Sequence, residues 1–119
     1  MIYCNRKHFY LKGNIHMAKV VKFGGSSLAD ANQFRKVADI IRSDKERRYV
    51  VPSAPGKRFS DDTKVTDMLY TCYDEVCAGK NAIASFMPIA DRFNGIIQDL
   101  GLTISLDDEF ETIIEKIRG

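Results

Sequence analysis

The chain has 119 residues, a formal net charge of +2, 45% hydrophobic and 29% charged residues, a composition ordinary for a soluble globular domain. No run approaches the roughly 18 apolar residues of a membrane-spanning helix, so a transmembrane protein is excluded at this stage. Residues 1–58 carry a net charge of +9 and residues 59–119 a net charge of −7, which leaves open an anionic partner (nucleotide or nucleic acid) or mutual neutralisation of the two halves.

The first 16 residues show no clean hydrophobic period and lack the apolar run of a secretory signal. Met17 is followed by Ala18 and Lys19, where strand-like sequence begins. We therefore expect residues 1–16 to be a leader or upstream extension, and residues 17–119 to belong to the folded domain.

A strand, a loop, a helix and a second strand are predicted next. Residues 19–23 (KVVKF) form a β-branched run that ends at two glycines. Ser27, with Asp30 three residues later, is a capping-box-like start for an amphipathic helix over residues 28–42. Residues 49–51 predict the second strand. This order of elements favours a parallel sheet with helical layers.

A turn-rich loop over residues 53–62 precedes a helix for which Asp62 is the expected N-cap and Gly79 the terminator. Cys72 and Cys77 lie within the apolar pattern of this helix, where cysteine is typically a small buried hydrophobe. The three cysteines of the chain form neither an even disulfide set nor a CxxC pair, and both histidines lie in the first 16 residues, far from any cluster of cysteines. We expect reduced thiols, a cytoplasmic location and no metal site built from protein ligands.

Two further helices complete the pattern. Residues 83–100 carry apolar side chains at helical spacing, with Pro88 as a kink or late start and Gly101 as the terminator. Ser105 with Asp108 is the expected cap of the last helix. Two predicted strands are too few for a finished sheet, because doubly wound sheets usually hold five or six. We therefore expect an α/β fold of which this chain is only a part.

The first candidate site is the segment Lys22-Phe23-Gly24-Gly25-Ser26-Ser27, between a strand and a helix N-terminus. Consecutive glycines let the backbone approach a ligand with its N–H groups, and the helix N-terminus adds partial positive charge. Lys22 adds a full charge, worth about 4 kcal/mol against one negative charge at about 4 Å and an effective dielectric near 20. The alternative is a tight turn with a solvated lysine and a capping serine.

The second candidate is the loop that begins at Ser53, because parallel strands end at the same edge of a sheet and ligands of open α/β sheets bind there. Thr66 and Asp67, in the first turn of the next helix, are expected to face the same crevice. Taken one at a time, Ser53 and Thr66 are explained by turn formation and helix capping at least as well as by ligand binding. For Lys57 and Arg58 a solvated loop charge is the favoured interpretation. No P-loop or GxGxxG pattern occurs.

These two segments carry a family resemblance. Residues 19–27 (KVVKFGGSS) and residues 50–69, which contain VVPSAPG and KVTDML, resemble the aspartate kinases of the amino acid kinase family. The resemblance implies a three-layer α/β/α kinase domain followed by ACT domains, in a homo-oligomeric parent protein. It implies transfer of the γ-phosphoryl group of ATP, with Mg²⁺ held by the nucleotide, to the β-carboxylate of L-aspartate, the first step toward lysine, threonine and methionine.

The resemblance also assigns site residues. It implies phosphate contacts at four positions of the first motif: Lys22, Gly24, Gly25 and Ser26. Lys22 would stabilise the transferring group, whereas Ser53 and Thr66 would bind aspartate. Asp67 stands where the family often has Asn or Asp. The Arg-Gly-Glu and Gly-Gly-Ser-Asp segments that the family requires do not occur in this chain, so we expect residues 1–119 alone to have little or no activity.

Two alternatives stay open on sequence grounds. One is another amino acid kinase acting on glutamate or a similar small acid, although the serine loop and KVTDML favour aspartate. The other is a non-catalytic anion-binding module, for instance for nucleic acid. No aromatic residues are interleaved with the basic residues as a base-stacking surface would require, so a nucleic-acid partner is not expected.

Overall fold

The computed structural model describes residues 2–11 and 14–119, with side chains from Ala18 onward. The chain forms two compact units, Met1–Asp62 and Thr63–Gly119. Across the described residues, no helix combines the length and the apolar character that crossing a bilayer requires.

The first unit contains a three-stranded sheet of mixed direction. Strands β1 (Ile2–Leu11) and β2 (Asn14–Phe23) are antiparallel, whereas β2 and β3 (Arg47–Pro52) are parallel. The parallel pair confirms the predicted strand–helix–strand unit. No strand was predicted at the position of β1, because backbone pairing along an edge needs no side-chain periodicity. Whether residues 1–16 are a leader stays a prediction.

Helix α1 (Ala31–Arg42) packs on one face of this sheet. Val21 and Phe23 of β2 are completely buried and form a cluster with Leu28 and Val37. Because side chains alternate along a strand, Lys22 lies on the opposite face and is exposed. Because Phe23 is held in the core, the end of β2 and the start of the glycine pair are held in place as well.

The cap of α1 differs from the prediction. Residues Gly25–Leu28 form a short 3₁₀ turn, and α1 begins only at Ala31. The N-cap is Asp30, whose carboxylate accepts a hydrogen bond from the backbone N–H of Gln33 at 2.9 Å. The prediction that Ser27 caps this helix is therefore wrong, because Ser27 lies within the 3₁₀ turn and Asp30 is the residue that directly precedes the first turn of α1.

Replacing Asp30 with alanine is expected to lower the free energy of unfolding by about 1 kcal/mol, the usual cost of losing a side-chain N-cap. Urea unfolding of the protein measures this change. Asp39→Ala is the matched control, since Asp39 is exposed in the interior of α1 and its replacement should change stability by less than about 0.5 kcal/mol. Equal effects of the two substitutions would contradict the assigned cap.

Lys19 ties the beginning of the buried part of β2 to the turn before β3. Its ammonium group donates to the carboxylate of Asp44 and lies 3.7 Å from a carboxylate oxygen of Glu46. The hydrogen bond from Lys19, assisted by the backbone N–H of Glu46, holds the pKa of Asp44 below its usual value. A carboxyl group with a lowered pKa stabilises the fold above its unfolded-state pKa, and that contribution is lost as the pH falls through the folded-state pKa.

We therefore expect the Asp44 carboxyl to titrate below its ordinary pKa in the folded protein. In Lys19→Met the pKa of Asp44 should return toward its ordinary value of about 3.9. The free energy of unfolding should then fall less steeply as the pH drops through this range. NMR titration of the Asp44 carboxyl carbon measures both proteins. An identical Asp44 titration in the two would show that the ion pair has no influence.

The second unit consists of three helices: α2 (Val65–Cys77), α3 (Ala82–Asp99) and α4 (Asp107–Arg118). Its core is formed around Phe86, whose ring centroid lies 5.5 Å from that of Phe110. Arg92 is also buried and donates to the backbone carbonyl of Thr63 at 3.1 Å, which joins α3 to the residue just before α2.

The ends of these helices follow the predictions in part. Gly79 and Gly101 adopt φ values of 92° and 67°, as expected for glycines that end helices. Helix α3 runs without interruption through Pro88, so a late start is wrong. The hydroxyl of Ser105 accepts from the N–H of Asp107 at 3.2 Å, although Leu106 occupies the N-cap position.

Two other predictions for α2 need correction. Asp62 is not its N-cap, because that position belongs to Lys64 and the Asp62 carboxylate is bound to Arg58. Cys72 is buried as expected, and burial raises the pKa of its thiol, but Cys77 is exposed near the end of the helix. Both thiols are free. The side chain of Cys4 lies outside the described residues.

Candidate functional site

The first part of the site is the glycine turn, residues 24–27 between β2 and α1. Gly24 continues the strand in an extended conformation, with φ −74° and ψ 170°, and its carbonyl accepts from the N–H of Ser27 at 3.0 Å. The side chains of Lys22 and Ser26 are exposed on either side of the glycine pair. An ammonium group, a hydroxyl group and a glycine backbone therefore lie within five consecutive residues.

The second part is the Ser53 loop, residues 53–62 after β3. It contacts the glycine turn, as the parallel pairing of β2 and β3 predicted. The N–H of Ser53 donates to the carbonyl of Phe23 at 3.0 Å, which extends the strand pairing by one step. The N–H of Gly56 donates to the carbonyl of Gly25 at 2.7 Å. The Ser53 side chain remains exposed. The structure thus brings the glycine pair and the serine together at the carboxyl edge of the sheet.

Close contact between Gly25 and Gly56 is what allows the two loops to meet. A Cβ atom on Gly56 would lie 2.6 Å from the carbonyl carbon of Gly25 and 2.8 Å from the nitrogen of Ser26. A Cβ atom on Gly25 would lie 3.0 Å from the carbonyl oxygen of Ala54. Gly25 therefore supports the site by accommodating the second loop, besides any contact with a ligand.

Gly56 was not among the predicted site residues. Its neighbours in sequence, Pro55 and Lys57, mark it only as part of a turn. The signal that identifies it is tertiary, because its backbone crosses a segment about 30 residues earlier in the chain. In the sequence, a contact between Gly25 and Gly56 was indicated only by the presence of a glycine in each of the two loops that follow the parallel strands.

The structure removes one predicted contribution to anion binding. The N-terminus of α1 was expected to follow the glycines directly and to present its dipole to a phosphate. A 3₁₀ turn intervenes, and the N-terminus of α1 already carries the carboxylate of Asp30. The α1 dipole is therefore not a contributor at the glycine turn, and Lys22 and the backbone amides stay the predicted ones.

Farther along the second loop, Arg58 is exposed, as predicted for a solvated loop charge, and it is also paired with a carboxylate. Its Nε and Nη2 atoms donate to the two carboxylate oxygens of Asp62, at 2.6 and 2.9 Å. The neighbouring Lys57 is exposed, and its ammonium nitrogen lies 3.5 Å from the carbonyl oxygen of Ser60. The pair forms in a segment without helix or strand, so a spacing of four residues between opposite charges was not by itself a signal for it.

The other two predicted substrate-side residues belong to the second unit. Thr66 and Asp67 lie in the first turn of α2, and both side chains are exposed. Hydroxyl and carboxylate groups are thus available at the N-terminus of a 13-residue helix. Their approach to the glycine turn stays a prediction.

Comparison with known proteins places this geometry in a family. The sequence profile of the amino acid kinase family matches residues 17–99. Over 100 residues the chain is 45% identical to Aspartokinase 3 of Bacillus subtilis (strain 168). The matched region covers 84% of this chain and 20% of that protein. The crystal structure of an aspartate kinase from Clostridium acetobutylicum superposes with a TM-score of 0.76 at 44% identity, covering 82% of this chain and 22% of that one.

The chain spans about a fifth of the length of these two relatives. The α/β unit and the helices described above match the corresponding part of the aspartate kinase structure, so the expected fold class is confirmed for this segment. The family profile covers both loops of the candidate site. The chain belongs to the amino acid kinase family.

Proposed function

We propose that the protein to which this chain belongs is an aspartate kinase, which transfers the γ-phosphoryl group of ATP to the β-carboxylate of L-aspartate. The observation that carries the proposal is the convergence of the glycine turn and the Ser53 loop, fixed by the 2.7 Å hydrogen bond from Gly56 to Gly25. Identities of 44% and 45% to two aspartate kinases favour aspartate over glutamate as the acceptor.

The chemistry of this reaction suits the side chains at the site. A carboxylate nucleophile has an ordinary pKa near 4 and is already ionised at neutral pH, so no general base is required. The obstacle is the approach of two anions, which fixed cations and oriented amides relieve. We assign this task to Lys22, with the backbone of Gly24 and Gly25 and the hydroxyl of Ser26 holding the phosphate oxygens.

On the acceptor side, we assign Ser53 and Thr66 to binding of the aspartate. Ser53 is exposed directly after β3, at the edge where Lys22 and the glycine pair lie. Its hydroxyl group can donate to a carboxylate or accept from an ammonium group, and free aspartate offers both. Asp67 is a second candidate for the ammonium group.

Magnesium is expected to enter the site bound to the nucleotide. Ammonium, hydroxyl and amide donors suit phosphate oxygens, whereas Mg²⁺ requires oxygen acceptors. Within the residues that the structure describes, no group of three His, Cys, Asp or Glu side chains is arranged to hold a metal ion. We expect the nucleotide, rather than side chains of this chain, to hold the metal. When bound, the metal neutralises charge on the transferring phosphate.

In the cell, this activity would stand at the start of lysine, threonine and methionine biosynthesis in the cytoplasm, in a homo-oligomeric protein. The test uses the purified intact protein with Mg²⁺, ATP and hydroxylamine, which displaces phosphate from the acyl phosphate and leaves a hydroxamate of the acceptor. Formation of the aspartyl hydroxamate with little glutamyl hydroxamate is the expected result. Preferential transfer to glutamate would instead identify a different amino acid kinase. ATP-independent binding of random oligonucleotides would favour the anion-binding module.

A further inference from the structure

We propose that the ion pair between Arg58 and Asp62 is a positioning device, which holds the Ser53 loop against the glycine turn and thereby sets the affinity for the acceptor amino acid. The inference rests on the proposed kinase function and extends it to two residues that follow Ser53 and Gly56 in the same loop. Arg58 and Asp62 are thus positioning residues, acting through the loop.

The pair is unusually well constrained for a loop. Asp62 accepts three hydrogen bonds from Arg58: from the backbone N–H at 2.9 Å, from Nε at 2.6 Å and from Nη2 at 2.9 Å. The Asp62 side chain is only 8% exposed, and the guanidinium group also lies 5.6 Å from the ring centroid of Phe59. Bidentate pairs of this kind hold a defined geometry, unlike most exposed ion pairs.

The Arg58 guanidinium keeps its positive charge over the pH range in which a kinase works. Hydrogen bonding to the Asp62 carboxylate raises the pKa of the Arg58 guanidinium above its ordinary value. The N–H of Asp62 also donates to the carbonyl of Phe59 at 3.1 Å, which closes the turn between the two partners. The end of the loop is therefore fixed by both side-chain and backbone bonds.

The position of the pair along the chain explains its effect. Between β3 and α2 the chain forms neither helix nor strand, so local hydrogen bonds must fix its conformation. Three sets of bonds do so: Ser53 to Phe23, Gly56 to Gly25, and Arg58 to Asp62. The first two hold the loop at its start, and the third holds the residues that follow Gly56. Loss of the third loosens the end of the loop, and the two remaining bonds then hold only its start at the glycine turn.

The experiment measures kinetics of the intact protein for Arg58→Ala, Asp62→Ala and the double variant. Each single substitution should raise KM for aspartate about tenfold, the effect expected for loss of charge-assisted hydrogen bonds, with kcat and KM for ATP changed less than about twofold. The double variant should be no worse than either single one, because both remove the same interaction. The exchanged pair, Arg58→Asp with Asp62→Arg, should recover part of the loss.

Asp61→Ala is the matched control, since Asp61 is the exposed acidic neighbour of Asp62 and its replacement should leave all constants unchanged. If Arg58→Ala raises KM and Asp62→Ala does not, Arg58 binds the substrate directly and the positioning role is refuted. Additive effects in the double variant, or no effect of either single one on an active enzyme, refute it as well.

Hydrogen exchange separates this inference from the proposed function. The amide of Arg58 is bound to the Asp62 carboxylate, so it should exchange at least about tenfold faster in Asp62→Ala than in the unsubstituted protein. Inability of the unsubstituted protein to phosphorylate aspartate would refute the kinase proposal alone. An unchanged exchange rate of the Arg58 amide would refute the positioning role of the Arg58–Asp62 pair, whatever the activity.

Discussion

Lys22→Ala in the intact protein is expected to lower kcat for aspartate phosphorylation by roughly a thousandfold, because it removes the fixed positive charge proposed to face the transferring phosphate. The loss should fall mainly on kcat, since the charge is most valuable in the transition state, where the two anions are brought together. Steady-state kinetics with saturating ATP and aspartate measure the effect.

The fold should tolerate this substitution. Lys22 is exposed and points away from the core formed by its neighbours Val21 and Phe23, so the free energy of unfolding should change by less than about 0.5 kcal/mol. Lys36→Ala, at an exposed lysine on α1, is the control for removing a positive charge and should leave kcat unchanged. A Lys22→Ala enzyme with near-normal turnover would mean that the charge required for catalysis lies elsewhere.

Gly56→Ala should have the next largest effect, and it should act on both stability and activity. The new methyl group would lie 2.6 Å from the carbonyl carbon of Gly25, where the neighbours are backbone atoms that have little room to move. Overpacking of this kind costs about 1–3 kcal/mol, and displacement of the loop would also break the hydrogen bond from Gly56 to Gly25. Because that bond sets the distance between the loops, turnover should fall by roughly a hundredfold.

Gly95→Ala provides the matched control. Gly95 lies within α3, and a Cβ atom built there would meet nothing within 4 Å. Replacing a helical glycine with alanine should stabilise the protein by about 0.5–1 kcal/mol and leave turnover unchanged. Thermal unfolding and steady-state kinetics on both variants give the comparison. A Gly56→Ala protein as stable and as active as Gly95→Ala would show that the loops do not depend on this contact.

The strand–helix–strand unit was predictable because its pattern is local and strong. The β-branched run before the glycines indicated β2, and the parallel order of the strands indicated that Ser53 would lie beside the glycine pair. Both follow from chain geometry, since parallel strands must end at the same edge. The hydrogen bond from Ser53 to Phe23 is the direct consequence.

Features that depend on competition between acceptors were harder to predict. Ser27 and Asp30 both fit an N-cap, and only the folded backbone decides between them, in favour of Asp30. Asp62 likewise fits a cap for α2, yet its carboxylate binds Arg58 instead. In each case several local patterns were possible, and the geometry of the neighbouring turn selected one.

The crossing of Gly25 and Gly56 could not be predicted from periodicity at all. It is a close approach of two backbones far apart in sequence, and no hydrophobic pattern records it. Strand β1 escaped prediction for a related reason, because its pairing with β2 depends on backbone groups rather than on an alternation of side chains.

A crystal structure of the intact protein with Mg²⁺, a non-hydrolysable ATP analogue and aspartate would show where the terminal phosphate binds. We expect this phosphate to lie within about 4 Å of the Lys22 ammonium nitrogen, as an ion pair requires, and against the backbone of Gly24 and Gly25, with the aspartate carboxylate beside Ser53. A terminal phosphate bound away from Lys22 and the glycine pair would contradict this assignment.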